Sequence, residues 1–163
     1  MRRLYDRFSG YTMAIVLRYV HDRDDARDVL QDSFVRILTS IPAFDYRGEG
    51  SLKAWVSKIV MNRALDWLGE QEALLLTDEM PDVAEEAEEP DIGGVPPDVL
   101  NRMIGQLPVG CRVVLNLHVF EGLSHREIGR KFGIRESSSA SQYSRAKRLL
   151  KEMIEEYLNS QRI

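Results

Sequence analysis

Residues 123–150 read Leu-Ser-His-Arg-Glu-Ile-Gly-Arg-Lys-Phe-Gly-Ile-Arg-Glu-Ser-Ser-Ser-Ala-Ser-Gln-Tyr-Ser-Arg-Ala-Lys-Arg-Leu-Leu, a pattern of two helices parted by a glycine turn. Ser124 stands where it can cap a helix together with Glu127 three residues on, and Leu123 can staple against Ile128. Gly133, just past Phe132, permits the left-handed turn that ends this helix, and the Ser137-Ser138 pair can cap the next one. The second helix is expected to bury Tyr143, Ala146, Leu149, Leu150, Met153, Ile154 and Tyr157, which recur at three-and-four spacing. That leaves Ser138, Ser141, Gln142, Arg145 and Arg148 outward. Such a helix-turn-helix with a basic second helix suits docking in the DNA major groove, with N-terminal residues on base edges and flanking Arg and Lys on phosphates.

The distribution of charge supports a nucleic-acid partner more than its total does. The 163 residues carry a formal charge of −4, from 22 Lys and Arg against 26 Asp and Glu. Between Arg63 and Arg102, however, there is no Lys or Arg and there are 12 of those 26 acids. The rest of the chain holds 22 basic against 14 acidic residues, a net +8, and the field that steers DNA is local. No apolar run approaches the length of a bilayer span and the N-terminus lacks the order of a signal peptide. A cytoplasmic protein without membrane insertion is expected. Cys111 has no second cysteine to pair with and reads as a small core or boundary residue. His21, His118 and His125 are too scattered along the chain to suggest a metal site. With no phosphate-binding glycine loop, nucleophile elbow or zinc spacing, neither catalysis nor a cofactor or metal is expected.

The remainder reads as helix, giving an all-α class with two small helical domains. From Asp24 to Ile41 the residues Ala26, Val29, Leu30, Phe34, Ile37, Leu38 and Ile41 form one stripe, closed by Pro42. Tyr11 to Val20 is its expected antiparallel partner, joined by His21-Asp22-Arg23, and Phe44 to Gly50 reads as a loop. A third helix from Ser51 to about Gly69 turns Leu52, Trp55, Val56, Ile59, Val60, Ala64 and Leu68 inward, which completes a three-helix bundle over residues 1–69. Residues 70–97 contain four of the prolines and the Gly93-Gly94 pair and read as an acidic flexible linker, tethering and not packing. Helices over Asp98–Leu107 and Gly110–Phe120, stopped by Pro108 and Gly122, join the helix-turn-helix in a four-helix domain over residues 98–163.

With this pattern assembled, the chain resembles an extracytoplasmic-function (ECF) sigma factor, the minimal two-domain class of bacterial RNA polymerase specificity subunits. Asp24-Asp25-Ala26-Arg27-Asp28-Val29-Leu30-Gln31-Asp32-Ser33-Phe34 is similar to the region-2 helix of that family, which docks on the clamp coiled coil of the polymerase large subunit. The resemblance implies core-polymerase binding by Asp28, Gln31, Asp32 and Val35, which share the face opposite the apolar stripe. A polar acidic strip with an apolar edge suits a basic helical partner. Phe44 to Asp66 is similar to the segment that opens and reads the minus-10 promoter element. There Lys53, Lys58, Asn62, Arg63 and Asp66 become candidate contacts, the asparagine for a base edge and the cations for phosphates. Trp55 reads as core. The family usually continues with a basic residue or two, whereas this chain continues Trp67-Leu68-Gly69-Glu70.

Residues 123–150 are similar to the family's region-4 helix-turn-helix for the minus-35 element, which makes Ser138, Ser139, Ser141, Gln142, Arg145, Lys147 and Arg148 the candidate contacts. Gln142 could address adenine and Arg145 guanine, although Ser139 and Gln142 stand where relatives often carry a β-branched residue and a base. The implied partners are core RNA polymerase and promoter DNA, with an anti-sigma factor as a further candidate. The implied function is to direct polymerase to promoters and start transcription there. A stand-alone helix-turn-helix regulator, which would bind DNA without polymerase, is the alternative; a module built mainly to bind an inhibitor is a third reading.

Overall fold

The computed structural model describes residues 2–71 and 87–162. Among the described residues there is no strand, in keeping with the all-α expectation, and the chain divides into two compact units, Met1–Ala73 and Leu74–Ile163.

The first unit is a bundle of α1 (Arg2–Tyr19), α2 (Arg23–Ser40) and α3 (Ser51–Gln71), each packed on the other two. Its core joins Phe8, Ile15, Val16 and Tyr19 of α1 to Ala26, Val29, Phe34 and Ile37 of α2 and Val56, Val60, Ala64 and Leu68 of α3, all buried. Helix α1 begins nine residues before the expected Tyr11, because the buried Phe8 and partly buried Leu4 carry the stripe about two turns ahead of Thr12 and the ring of Tyr5 lies 4.9 Å from that of Phe34. Asp22, expected to be part of a connection, caps α2 through hydrogen bonds accepted from the Asp24 and Asp25 amides at 2.9 and 3.0 Å. Such a cap contributes on the order of 1 kcal/mol. Pro42 ends α2 as expected, in a short 3-10 turn over Ile41–Ala43.

The second unit contains α4 (Pro97–Gly105), α5 (Val109–Leu115), α6 (His125–Phe132) and α7 (Glu136–Ser160). A π turn over Asn116–Phe120 continues α5. Met103, Ile104, Leu107, Cys111, Leu115, Ala146, Leu150 and Ile154 form one buried cluster, which makes the Cys111 thiol a core group. Burial pushes its pKa up.

The corner between α6 and α7 is fixed by local chemistry. Ser124 Oγ accepts from the Glu127 amide at 3.1 Å while the Glu127 carboxylate accepts from the Ser124 amide, a complete capping box. Gly133 ends α6 at φ 68°, the left-handed conformation that a side chain disfavours. Gly129 is needed as well. A Cβ there would sit 2.7 Å from the Ile134 carbonyl oxygen, so only glycine lets the chain turn this closely over α6. The expected Ser137-Ser138 cap is absent: α7 starts at Glu136, with Arg135 as its N-cap and no side-chain cap bond.

Both ends of the segment expected to tether are packed. Glu70 lies on α3 and pairs with Arg63, while Val95 packs against the core of the second unit. The linker expectation for residues 72–86 lies outside the described residues.

Candidate polymerase and nucleic-acid interfaces

Helix α2 turns Asp28, Gln31, Asp32 and Val35 to solvent, and Val35 is 62% exposed despite being apolar. These four make one continuous strip, because the buried residues Ala26, Val29, Leu30, Ser33, Phe34 and Ile37 fix the phase of the helix. Asp32 has a second task. Its carboxylate accepts from Arg63 Nε at 3.3 Å and Nη2 at 3.0 Å, and Arg63 Nη1 reaches Glu70 at 3.2 Å.

That network corrects the sequence reading of α3. Arg63 was expected to neutralise phosphates, yet only 11% of its side chain is exposed and its guanidinium ties α2 to α3. Burial alone would lower the pKa of this group; its hydrogen bonds to Asp32 and Glu70 outweigh that and hold it above the ordinary value. Asp66 is likewise engaged between helices, accepting from Arg36 at 3.2 Å. Lys53, Lys58 and Asn62 are exposed. Trp55 is half-buried with its ring 5.0 Å from that of Phe44, a packing role.

Beside Lys53 the first unit has an open cleft of about 550 Å³, whose walls include Arg7, Tyr11, Tyr46, Glu49 and Lys53. The Lys53 ammonium sits 4.4 Å from the Tyr11 ring centre, and Tyr46 is 70% exposed. Sequence reasoning missed this site. Tyr11 and Tyr46 lie far apart along the chain, one at the start of an expected apolar helix and the other in an expected loop, so nothing in their spacing brings them together.

The largest correction concerns α7. Ser138, Ser139, Ser141 and Gln142, expected to face DNA, are all buried. The Cys111 thiol donates to Gln142 Oε1 at 3.3 Å, and Ser139 Oγ is hydrogen-bonded to His125 Nδ1 at 2.9 Å, so Gln142 and Ser139 are engaged by α5 and α6. Lys147 is buried too, bonded to Glu89 at 3.1 Å with its ammonium 4.6 Å from the Tyr143 ring centre. The outward face instead carries Ser137 and Arg148, exposed, with Ala140, Ser144 and Arg145 partly so.

Two histidines that look scattered in sequence are stacked in space. The His118 and His125 rings lie 4.2 Å apart and 14° from parallel, with the Tyr143 ring against both. The π turn brings His118 to the start of α6, where its Nδ1 is 2.8 Å from the Leu123 carbonyl. Burial, then the adjacent His118 and Lys147, hold the His125 pKa below its ordinary value, with Glu136 opposing. Tyr143 is shifted upward by burial first and then by Glu89.

Comparison with known proteins joins the two units under one description. The Sigma-70 region 2 family model matches residues 4–73, and the Sigma-70 region 4 model matches residues 98–150. The RNA polymerase sigma factor SigZ of Bacillus subtilis is 26% identical over 152 residues, covering 93% of this chain and 85% of that protein. The ECF RNA polymerase sigma-E factor of Haemophilus influenzae is 28% identical over 167 residues, covering 93% and 86%. In fold, the chain is similar to the sigma factor RpoE of Bartonella quintana, solved in complex with the anti-sigma factor NepR. The TM-score is 0.53 at 18% identity, over 94% of this chain and 96% of that one. One bundle matched by region 2, one capped helix-turn-helix unit matched by region 4, and relatives aligned across both place the chain in the sigma-70 family of RNA polymerase sigma factors, in its extracytoplasmic-function class.

Proposed function

We propose a division of labour between the two units of a sigma factor that directs RNA polymerase to promoters and starts transcription there. Residues 1–69 bind core polymerase and the minus-10 element, residues 98–163 bind the minus-35 element, and residues 70–97 connect them. The observation that carries this reading is the α6–α7 corner, whose capping box, left-handed Gly133 and close-packed Gly129 set α7 against α6 with one side of its first turns buried and the side of Ser137, Ala140 and Ser144 left facing outward.

On α2, Asp28, Gln31, Asp32 and Val35 form the polymerase surface; the two carboxylates and the exposed valine suit a basic helical partner such as the clamp coiled coil. On α3, Asn62 addresses a base while Lys53 and Lys58 hold phosphates; Arg63 and Asp66 support them by fixing α3 against α2. The cleft between Tyr11 and Tyr46, flanked by Arg7 and Lys53, suits an unstacked base, since aromatic faces and cations together favour single-stranded DNA. On α7, Ser137, Ala140, Ser144, Arg145 and Arg148 take the DNA-facing role in place of the buried serines and Gln142.

The chain is a specificity subunit without a catalytic site of its own, and it works in the cytoplasm, where polymerase and promoter are. Among the described residues no helix is long and apolar enough to cross a membrane. An anti-sigma factor, as NepR is to the Bartonella protein, is a further partner.

Run-off transcription with core polymerase tests the assignment. Asn62→Ala should lower output from the native promoter much more than from one altered at the minus-10 element, and Arg148→Ala should weaken the minus-35 contact. Equal loss on both promoters would make Asn62 a packing residue. Sequence-specific binding to duplex DNA without polymerase, coupled to no transcription with it, would favour the stand-alone regulator.

A further inference from the structure

Beside the outward face of α7 lies a basic edge that is already occupied. Lys147 follows Ser144 by three positions and Lys151 follows Arg148 by three, so both flank the proposed DNA face. The chain's own acidic segment lies against them. Glu89 accepts from Lys147 at 3.1 Å and from the Tyr143 hydroxyl at 3.5 Å, and Glu88 accepts from Lys151 at 3.1 Å. The burial is lopsided: the Lys147 side chain is 11% exposed, while those of Glu89 and Glu88 are 75% and 83% exposed. The lysine has given up its water and depends on a carboxylate that has kept most of its own. A second anion at that edge can take the place of the first without leaving the ammonium unpaired.

The attachment of the segment favours exchange over permanent packing. Val95 is held against the core, and immediately before it stands the Gly93-Gly94 turn, with Gly94 at φ +83°. Residues 88 and 89 reach that anchored point through Pro90, Asp91, Ile92 and the two glycines, a turn closed by its own bonds from the Gly93 amide to Asp91 and from the Val95 amide to Ile92, and among the described contacts their side chains are held to α7 by exposed polar bonds alone. DNA backbone on this edge would also meet Glu88 and Glu89 at close range, so the segment and a phosphate cannot share it.

We propose that Glu88 and Glu89 stand in for two DNA phosphates on the Tyr143–Lys147–Lys151 edge, so that the acidic segment restrains duplex binding by α7 until it is displaced. This rests on the reading of α7 as the DNA-facing helix. It adds a competing ligand built into the same chain, removable when DNA or polymerase draws the segment away.

The test uses the full-length chain and a labelled promoter duplex, with affinity followed by fluorescence anisotropy at several salt concentrations. E88Q/E89Q should bind roughly 3- to 10-fold more tightly at about 0.1 M salt, the range expected for releasing two solvent-accessible ion pairs. Lys147→Met, which keeps the apolar stem, should cost little in the native background and most of that gain in the E88Q/E89Q background. No gain on removing the carboxylates would overturn the proposal. So would strictly additive effects of the glutamate and lysine changes, since general charge repulsion adds and competition for one ammonium does not. Arg148→Ala separates the two levels: if it weakens binding while E88Q/E89Q does nothing, α7 still faces DNA and only the restraint is wrong. If neither has any effect, the assignment of the helix falls as well.

Discussion

Replacing Arg63 with alanine should destabilise the first unit by about 2 kcal/mol, a magnitude built from its three hydrogen bonds. Arg63 makes two to Asp32 and one to Glu70. Hydrogen bonds to charged groups contribute about 1.5–3 kcal/mol each when both partners are shielded. Here both carboxylates are 57% exposed and recover water once the guanidinium has gone, so most of that sum is lost to solvent screening. Removing the buried guanidinium also refunds its desolvation. What remains is roughly 1 kcal/mol of pairing, to which loss of the packed aliphatic stem adds about 1 kcal/mol. For a unit of this size about 2 kcal/mol lowers the melting temperature by on the order of 10 °C. The two tryptophans, Trp55 and Trp67, both lie on α3, so their fluorescence follows the first unit without interference from the second. Arg63→Met should retain part of the loss, because it keeps the stem. A melting temperature within about 2 °C of the native value, together with a DNA-binding salt slope reduced by about one, would refute the reasoning and return Arg63 to the phosphates.

Gly129→Ala should cost about 1–3 kcal/mol in the second unit, since the added methyl meets the Ile134 carbonyl at 2.7 Å and the turn must move; an unchanged far-UV melt would show that the turn yields freely. Asp28→Ala should reduce affinity for core polymerase and leave the tryptophan melt unaltered, whereas Asp32→Ala should lower both, because only Asp32 holds Arg63. If the two variants melt alike, the cross-helix pair contributes no stability. The second unit should lose stability as pH falls below about 6.5, where an unfolded histidine takes up its proton. Folded His125 resists protonation, so the unfolded state binds more protons in the window from that value down to the lowered folded pKa. His125→Phe should flatten this loss between pH 7.5 and 5, and an equally steep acid loss in the variant would assign the effect to another group.

What was legible in the sequence was local or carried by an apolar stripe. Ser124, Glu127 and Gly133 mark the ends of α6 by chemistry confined to a few residues, and they perform there as read. The stripe from Ala146 to Ile154 likewise set the phase of α7 over its later turns. Its first two turns, Glu136 to Gln142, contain no apolar residue larger than alanine, so no stripe was visible and polarity was taken for exposure. Carrying the later stripe back by four and seven residues from Ala146 would have placed Gln142 and Ser139 inward, where they lie. Arg63 was misread for a related reason. Its partners are 31 residues before and seven after it, and only the packing of α2 on α3 shows that two carboxylates converge there. The cleft at Tyr11 and Tyr46 also depends on tertiary approach, which no spacing rule encodes.

Helix α7 continues well beyond the turns that face outward at its start, running unbroken from Glu136 to Ser160. At 1.5 Å per residue, the 20 steps from Ser137 to Tyr157 span about 30 Å. Its far end, with Met153 and Tyr157, shares an open groove with Val99 and Met103 of α4. A helix this long behaves as a rod, and this one is clamped at its start, where Ser139 is bonded to His125 of α6 and Gln142 to Cys111 of α5. A tilt of about 5° about that clamp carries the far tip through roughly 2 Å. A load in the groove therefore moves Met153 and Tyr157 more than it moves Ser137 and Ala140, and the corner keeps the aim of the outward face.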